Sequence, residues 1–168
     1  MADEKTSVEI KWGKKDEVTF DVKASTLKGA GEELNKRDEW GRFEGYIDYA
    51  TKTSKDKLVT EVTLKPWYII SMPAWAGYNN APPKCQQEWN KMYRKLVDHE
   101  DGHRQVHQET LEKMEKYVEK AKNLTEKVLD AEFKKLMKEM QNNQKKFDTA
   151  TGSGSKKGVE LDILKECE

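Results

Sequence analysis

The first half of the chain alternates hydrophobic and polar residues with a period of two, which predicts β-strands. The alternating or apolar segments are residues 8–12, 18–22, 43–49, 58–64 and 67–72. Between the second and third of these segments, residues 26–36 predict a short helix with Ser25 or Thr26 as its N-cap. We therefore expect this half of the chain to form a small, mostly antiparallel sheet with one short helix.

After Pro82 and Pro83 the hydrophobic residues change to the three- and four-residue spacing of an amphipathic helix. No proline occurs from residue 84 to residue 122, so this spacing predicts one long helix. A break follows, with Thr125 as the next N-cap, and a second helix is expected to run to about residue 145. The second half of the chain is therefore predicted to be a long helical hairpin.

Together the two patterns predict an α+β fold, and 168 residues are enough for one domain. We expect a sheet half over residues 1–81, a helical half over 82–150, and a Gly/Ser-rich loop and tail over 151–168. No apolar run is long enough to span a membrane. The 31 basic and 31 acidic side chains cancel, which removes any overall attraction to nucleic acid. We expect neither a membrane span nor a nucleic-acid partner, and the sequence leaves the oligomeric state open.

The two cysteines, Cys85 and Cys167, allow at most one disulfide and do not have the spacing of a metal knuckle. Whether they pair depends on the compartment, because disulfides persist where proteins are exported. Residues 1–5 contain no apolar signal core. The chain is therefore expected either to be intracellular or to begin after a removed signal segment.

One short motif carries candidate chemistry: residues 99–103 read His-Glu-Asp-Gly-His, an H-E-x-x-H pattern inside the long predicted helix. Residues four apart share a helix face, so His99 and His103 can bind one tetrahedral Zn²⁺. Glu100 is then placed to act as general base on a metal-bound water. Both histidines also lie on the apolar stripe, where buried imidazoles need polar partners. The alternative is two core or surface histidines with a coincidental glutamate between them.

Two neighbours of this motif have interpretations of their own. His107 lies one further turn along, about 12 Å from His99 on a continuous helix, so one metal cannot bind all three histidines. We interpret His107 as a surface residue or one that supports the ligands from outside. Gly102 costs a helix about 1 kcal/mol relative to alanine, which indicates that another backbone approaches closely beside the metal.

Counting along the predicted hairpin suggests a third ligand. His99 lies 25 residues before Leu124, near the turn, and Asp148 lies 24 residues after it. Two antiparallel helices of equal rise would bring Asp148 level with His99. The Asp148 carboxylate could then bind the metal or orient a ligating imidazole. An ordinary aspartate in a turn at the helix C-terminus is equally compatible with the sequence.

The motif at 99–103 and the segment FDTATGSG at 147–154 resemble the two motifs of a family of predicted secreted bacterial zinc-dependent proteases. That family is labelled as a domain of unknown function. It has an HExGH helix and, downstream, a Tyr-Asp-x-x-Thr-x-His-Gly motif. Asp148, Thr151 and Gly154 are in register with the second motif. The resemblance covers nearly the whole chain and implies a zinc cofactor and a secreted or periplasmic location.

The chain departs from the family pattern at two positions. The family's histidine, a natural third ligand, is Ser153 here, and its tyrosine is Phe147. A hydroxyl is a poor zinc ligand, so the third position would pass to Asp148, to another carboxylate or to water. The tyrosine's absence also removes one possible oxyanion donor. Reduced zinc affinity or reduced activity is therefore expected.

The sequence predicts a zincin-like metallopeptidase domain in which Glu100 is catalytic and His99, His103 and Asp148 bind Zn²⁺. The reaction would be zinc-dependent hydrolysis of a peptide bond by a metal-activated water. The alternative is a catalytically weak or inactive metal-binding or interaction protein that has lost the family's third ligand.

The expected substrate is a peptide or protein. We expect it to lie extended along a sheet edge, by addition of a strand. The candidate edges are the predicted strands at residues 58–64 and 67–72.

Overall fold

The computed structural model describes residues 3–168, and this range contains four strands and three α-helices. In chain order they are β1 (Ser7–Ile10), β2 (Lys15–Val22), α1 (Leu27–Asn35), β3 (Arg42–Thr53), β4 (Val59–Trp75), α2 (Pro83–Lys120) and α3 (Glu126–Thr151). Short 3₁₀ helices occupy Tyr78–Asn80, Ser155–Lys157 and Lys165–Cys167. The order agrees with the predicted sheet half followed by a helical half.

The four strands form one small sheet in which β4 pairs with each of the other three. β1 runs parallel to β4, with Ser7 opposite Glu61 and Ile10 opposite Leu64. The prediction of a mostly antiparallel sheet is therefore wrong, since the pairing defined by this register is parallel. The alternation of side chains shows which face of the sheet each residue lies on. The alternation is the same whether a strand runs parallel or antiparallel to its neighbour. The sequence pattern consequently carries no information on direction.

The length and position of β4 differ from those expected for a sheet edge that binds substrate. The two strands predicted at 58–64 and 67–72 are parts of one strand of 17 residues, Val59–Trp75. Because β4 pairs with all three other strands, it lies inside the sheet. An edge for strand addition is therefore not found on β4.

The first helix begins where its capping residue predicts. The hydroxyl of Thr26 accepts a hydrogen bond from the N–H of Gly29, which satisfies one of the N–H groups that the first turn leaves unpaired. Leu27, Ala30 and Leu34 share the buried face of α1. This spacing is that of one side of an amphipathic helix.

The two long helices, α2 and α3, are separated by residues 121–125. Thr125 caps α3, since its hydroxyl accepts a hydrogen bond from the N–H of Val128. α3 continues to Thr151, beyond the predicted end near residue 145, so that Asp148 lies on the helix rather than in a turn. Among residues 3–168, no helix combines the length and the apolar character that a membrane crossing requires.

The chain divides into two compact units. Unit 1 comprises residues 1–15, 45–68 and 104–145, and unit 2 comprises residues 16–44, 69–103 and 146–168. The expected organisation as one domain in three successive parts stays a prediction.

Unit 1 has a continuous hydrophobic core made of residues from β3, β4, α2 and α3. Its buried members are Ile47, Val59, Val62, Leu64, Leu111, Met114, Val118, Leu124, Leu129, Phe133, Leu136, Met137 and Met140. At its margin the ring of Tyr49 meets Phe133 edge to face at 4.8 Å, and its hydroxyl donates to Asp130 at 2.9 Å. Burial, reinforced by Asp130, raises the pKa of Tyr49 to about 12.

Unit 2 buries a separate set of apolar side chains and contains a disulfide between Cys85 and Cys167. Cys85 lies in the first turn of α2, and Cys167 lies in the last 3₁₀ helix. Both are buried. The pairing that the sequence left open is therefore present.

Replacing Leu129 by alanine tests the core of unit 1. Leu129 is fully buried, whereas the adjacent Val128 is half exposed on the same helix. We expect Leu129→Ala to lower the free energy of unfolding by about 2–5 kcal/mol and Val128→Ala to change it by less than about 0.5 kcal/mol. Urea unfolding followed by circular dichroism measures both, and equal effects of the two changes would contradict the described packing.

Candidate metal centre

Two histidines of unit 2 lie one turn apart on the same face of α2. His99 and His103 are each only 7% exposed, and their ring centroids are 4.9 Å apart. The helix is unbroken between them, so the four-residue spacing directs both imidazoles to the same side.

Asp148, from α3, meets both histidines with one oxygen. Its Oδ1 lies 3.2 Å from Nε2 of His99 and 2.9 Å from Nε2 of His103. The ligand atoms of all three residues lie within 4.8 Å of one another, so the group could hold a metal ion. The structure thus brings together the three residues that the sequence indicated as ligands.

The distances in this group suit a small tetrahedral cation. Zinc bonds of about 2.0–2.2 Å place neighbouring ligand atoms of a tetrahedron about 3.3–3.6 Å apart. The two Nε2-to-Oδ1 distances, 3.2 and 2.9 Å, need only a slight expansion to reach that spacing. Two imidazole nitrogens with one carboxylate oxygen are also a common donor set of catalytic zinc sites, which keep a fourth position for water. The residues present therefore fit zinc.

Phe147 forms one wall of the group. Its ring stacks on His99 with centroids 5.0 Å apart and meets His103 edge to face at 4.8 Å. A Cβ atom at Gly102 would overlap this ring. The close approach expected at Gly102 therefore exists, although the neighbour is a side chain and not a backbone. Phe147 thus occupies the space that the missing side chain leaves free.

The turn after α3 covers the other side of His99. Gly154 has a φ of +92°, and a Cβ atom there would lie 3.2 Å from Cγ of His99. The N–H of Ser153 donates to the backbone oxygen of Asp148 at 2.8 Å, so the turn is tied to the main chain of the residue whose carboxylate the histidines share. The side chain of Ser153 itself is exposed. The position at which the resemblance implied a histidine therefore holds an exposed serine.

Glu100 is a buried carboxyl group beside this centre. It is 3% exposed, and its Oε2 has no hydrogen-bond partner among residues 3–168. Burial, with the nearby charges of Glu39 and Asp148, raises its pKa to about 8. Gly41 makes room for the group, because a Cβ there would lie 2.8 Å from Oε1 of Glu100.

The electrostatics of His99 favour the neutral ring that a metal requires. Burial lowers its pKa, and the neighbouring His103 lowers it further, whereas Asp148 acts in the opposite direction. Its Nδ1 atom is buried without a hydrogen-bond partner in the described part of the chain. Neutral imidazole is the form that binds metals.

His107 is not part of this group and is not a surface residue, as one interpretation of the sequence had it. It belongs to unit 1, is completely buried, and its Nε2 hydrogen-bonds the backbone oxygen of Tyr46 at 3.0 Å. The rings of Trp12 and Tyr68 lie about 6 Å away. Burial lowers the pKa of His107, so its role is that of a neutral core residue.

No pattern in the sequence indicates the contributions of Glu39 and Gly41 to the surroundings of Glu100. Both lie between α1 and β3, outside the periodic segments that hydrophobic patterns identify. Their proximity to Glu100 arises only in the folded chain.

The chain matches a known protein family. A family model described as "Bacterial protein of unknown function (DUF922)" matches residues 17–155, most of the chain and all of the centre. The chain therefore belongs to this bacterial family. No curated protein and no solved structure matches it.

Replacing Gly102 by alanine tests the contact with Phe147. In an unhindered helix this change stabilises by up to about 1 kcal/mol. Here the added methyl group would overlap the Phe147 ring, so we expect Gly102→Ala to lower the free energy of unfolding by about 1–3 kcal/mol. In a Phe147→Ala background the same change should be neutral or stabilising. Equal effects in both backgrounds, measured by urea unfolding, would refute the contact.

Proposed function

We propose that this protein is a zinc-dependent peptidase in which His99, His103 and Asp148 hold the metal. The observation that carries the proposal is the meeting of both Nε2 atoms with one oxygen of Asp148. Beside it lies Glu100, a buried carboxyl group with an unpaired oxygen. Three of these four groups, His99, Glu100 and His103, are buried, and buried polar groups need partners, which a shared metal would help to supply.

The proposed reaction divides its tasks among few residues. Zinc, when bound, lowers the pKa of a coordinated water to about 7 and polarises a carbonyl group. With a pKa raised to about 8, Glu100 is a stronger base than an ordinary carboxylate, and in its ionised form it takes the proton of the attacking water and delivers it to the leaving amine. Phe147 and Phe43 hold the imidazoles from two sides, since Phe43 stacks on His103 with ring centroids 6.3 Å apart. These rings also keep bulk water from the ligands.

The proposed substrate is a peptide or protein segment in an extended conformation. With β4 inside the sheet, the segment nearest the centre is the beginning of β3 and the residue before it. Gly41 lies against Glu100, and Phe43 lies against His103. A peptide running beside residues 41–43 would present its backbone to Glu100 and to the proposed metal.

A secreted or periplasmic location is part of the proposal. The disulfide between Cys85 and Cys167 supports it, because disulfides form and persist in oxidising compartments. Membership of a bacterial family is consistent with export to the periplasm or the medium.

A second candidate function is metal binding without efficient catalysis. The observation in its favour is that residue 153, where the resemblance implied a histidine ligand, is an exposed serine. Retention of Glu100 favours the peptidase. The two candidates differ in the outcome of the Glu100 experiment below.

We expect the purified protein to bind about one zinc per chain. Replacing His99 and His103 together by alanine should abolish binding, and Asp148→Ala should weaken it about 10–100-fold, whether the carboxylate is a ligand or orients one. Mass spectrometry of the metal content after dialysis, with competition titrations, measures these changes.

His107→Gln is the matched control, because this histidine lies outside the centre. It should leave the zinc stoichiometry unchanged. Full zinc content in the His99 and His103 double variant would place the metal elsewhere and disprove the assignment.

The second prediction concerns catalysis by Glu100. Glu100→Gln removes the proton acceptor but keeps size and polarity, so zinc binding should remain while cleavage of a quenched fluorescent peptide library falls about 10²–10⁴-fold. Cleavage that is unchanged in this variant would exclude Glu100 as the general base. If the unaltered protein binds zinc but cleaves nothing, the metal-binding alternative is favoured.

A further inference from the structure

Residues 159–167, which we call the tail segment, follow the turn that covers His99. At its start, Val159 is buried and its N–H donates to the backbone oxygen of Gly154 at 3.1 Å. Further along, the side chain of Leu161 lies close to Gly31 of α1. At its end, Cys167 is joined to Cys85 in the first turn of α2. The tail segment therefore links the metal centre to the beginning of α2.

Gly154 connects the tail segment to the histidine. A Cβ atom at this position would lie 2.7 Å from Val159 and 3.2 Å from Cγ of His99. The glycine is thus enclosed between the imidazole and the first residue of the tail segment. Because Nδ1 of His99 has no hydrogen-bond partner within residues 3–168, this packing and the stack on Phe147 hold the ring in place.

The disulfide is the strongest attachment of the tail segment. Residues 159–164 are in neither helix nor strand. An ion pair between Lys84 and Glu166 is largely exposed, and exposed ion pairs contribute little to stability. The covalent bond between Cys85 and Cys167 fixes the end of the segment.

We propose that the Cys85–Cys167 disulfide makes metal affinity depend on oxidation state: through the tail segment it keeps Gly154 packed on His99. The inference rests on the proposed zinc site. With the disulfide intact, the ring of His99 is held in the orientation that meets Asp148. With the disulfide open, the tail segment and the turn at Gly154 loosen, and the metal is bound more weakly.

The redox step is an ordinary thiol–disulfide exchange. A dithiol reductant attacks one sulfur, forms a mixed disulfide, and then closes on itself to release both cysteines as thiols. Two electrons and two protons pass to Cys85 and Cys167, and the reductant becomes a cyclic disulfide. Both sulfurs belong to buried residues, so the end of the tail segment has to open before the exchange can occur.

Zinc affinity in the oxidised and disulfide-free protein tests the proposal. The Cys85→Ser, Cys167→Ser double variant removes the disulfide without leaving thiols that would bind zinc themselves. We expect its zinc dissociation constant to be about tenfold or more above that of the oxidised protein, the size typical of lost support around metal ligands. Val159→Ala, which keeps the disulfide but removes the contact with Gly154, should weaken binding in the same direction.

Two controls separate this effect from general destabilisation. Val22→Ala truncates a buried residue of unit 2 outside the tail segment and should leave zinc affinity within about twofold. Reduction with a phosphine, followed by alkylation of the two freed thiols, should weaken zinc binding in the unaltered protein and have no effect on the double variant. Unchanged affinity in the double variant, or equal weakening by Val22→Ala, would overturn the proposal.

Hydrogen exchange supplies a readout that does not require metal. Loss of the disulfide should increase the exchange rates of the Ser153 and Val159 amides, which bond to Asp148 and Gly154, and leave those in the middle of α2 unchanged. Unchanged rates for both amides would contradict the coupling. If the oxidised protein binds no zinc at all, the proposed function fails. If its zinc affinity is the same with and without the disulfide, only this inference fails.

Discussion

Two imidazoles share one carboxylate oxygen in unit 2, and this arrangement sets requirements for the elements around it. α2 must be unbroken between His99 and His103, so that both rings point the same way. α3 must continue far enough to carry Asp148 to them. Gly102 must lack a side chain, because Phe147 occupies the space beside it. Each requirement concerns packing, and together they leave little freedom in how the two helices meet here.

The position of Asp148 could be predicted because helices have a constant rise. Counting equal numbers of residues on both sides of Leu124 gives the position of Asp148 if two conditions hold: both helices are continuous, and they pack antiparallel to each other. α2 and α3 meet both conditions, and Asp148 Oδ1 lies within 3.2 Å of both imidazole nitrogens. The spacing of the two histidines on one face was equally predictable. Whether Asp148 binds a metal stays a prediction, since the distances alone fit a hydrogen-bonded group as well.

Other features could not be predicted. A periodic pattern shows which residues share a face of a helix or strand, but not which other residues that face contacts. The alternation in β1 is compatible with either strand direction, and only the fold shows that it runs parallel to β4. Gly102 indicated a close neighbour, yet nothing local showed that the neighbour is the ring of Phe147. The pairing of Cys85 with Cys167 joins residues 82 positions apart in the sequence and depends on how the chain between them folds and on the compartment. Long-range partners of this kind are decided by tertiary packing.

Metal loading has a consequence for the protons of the centre. Before a metal binds, an ionised Asp148 can only accept hydrogen bonds, so Nε2 of both histidines must carry a proton. A metal needs the lone pairs of the same two nitrogens, and the ring proton then moves to Nδ1. Ligating histidines usually donate that proton to a carboxylate or a carbonyl. Nδ1 of His99 has no such acceptor among residues 3–168, so Phe147 and Gly154 must orient this ring by shape alone.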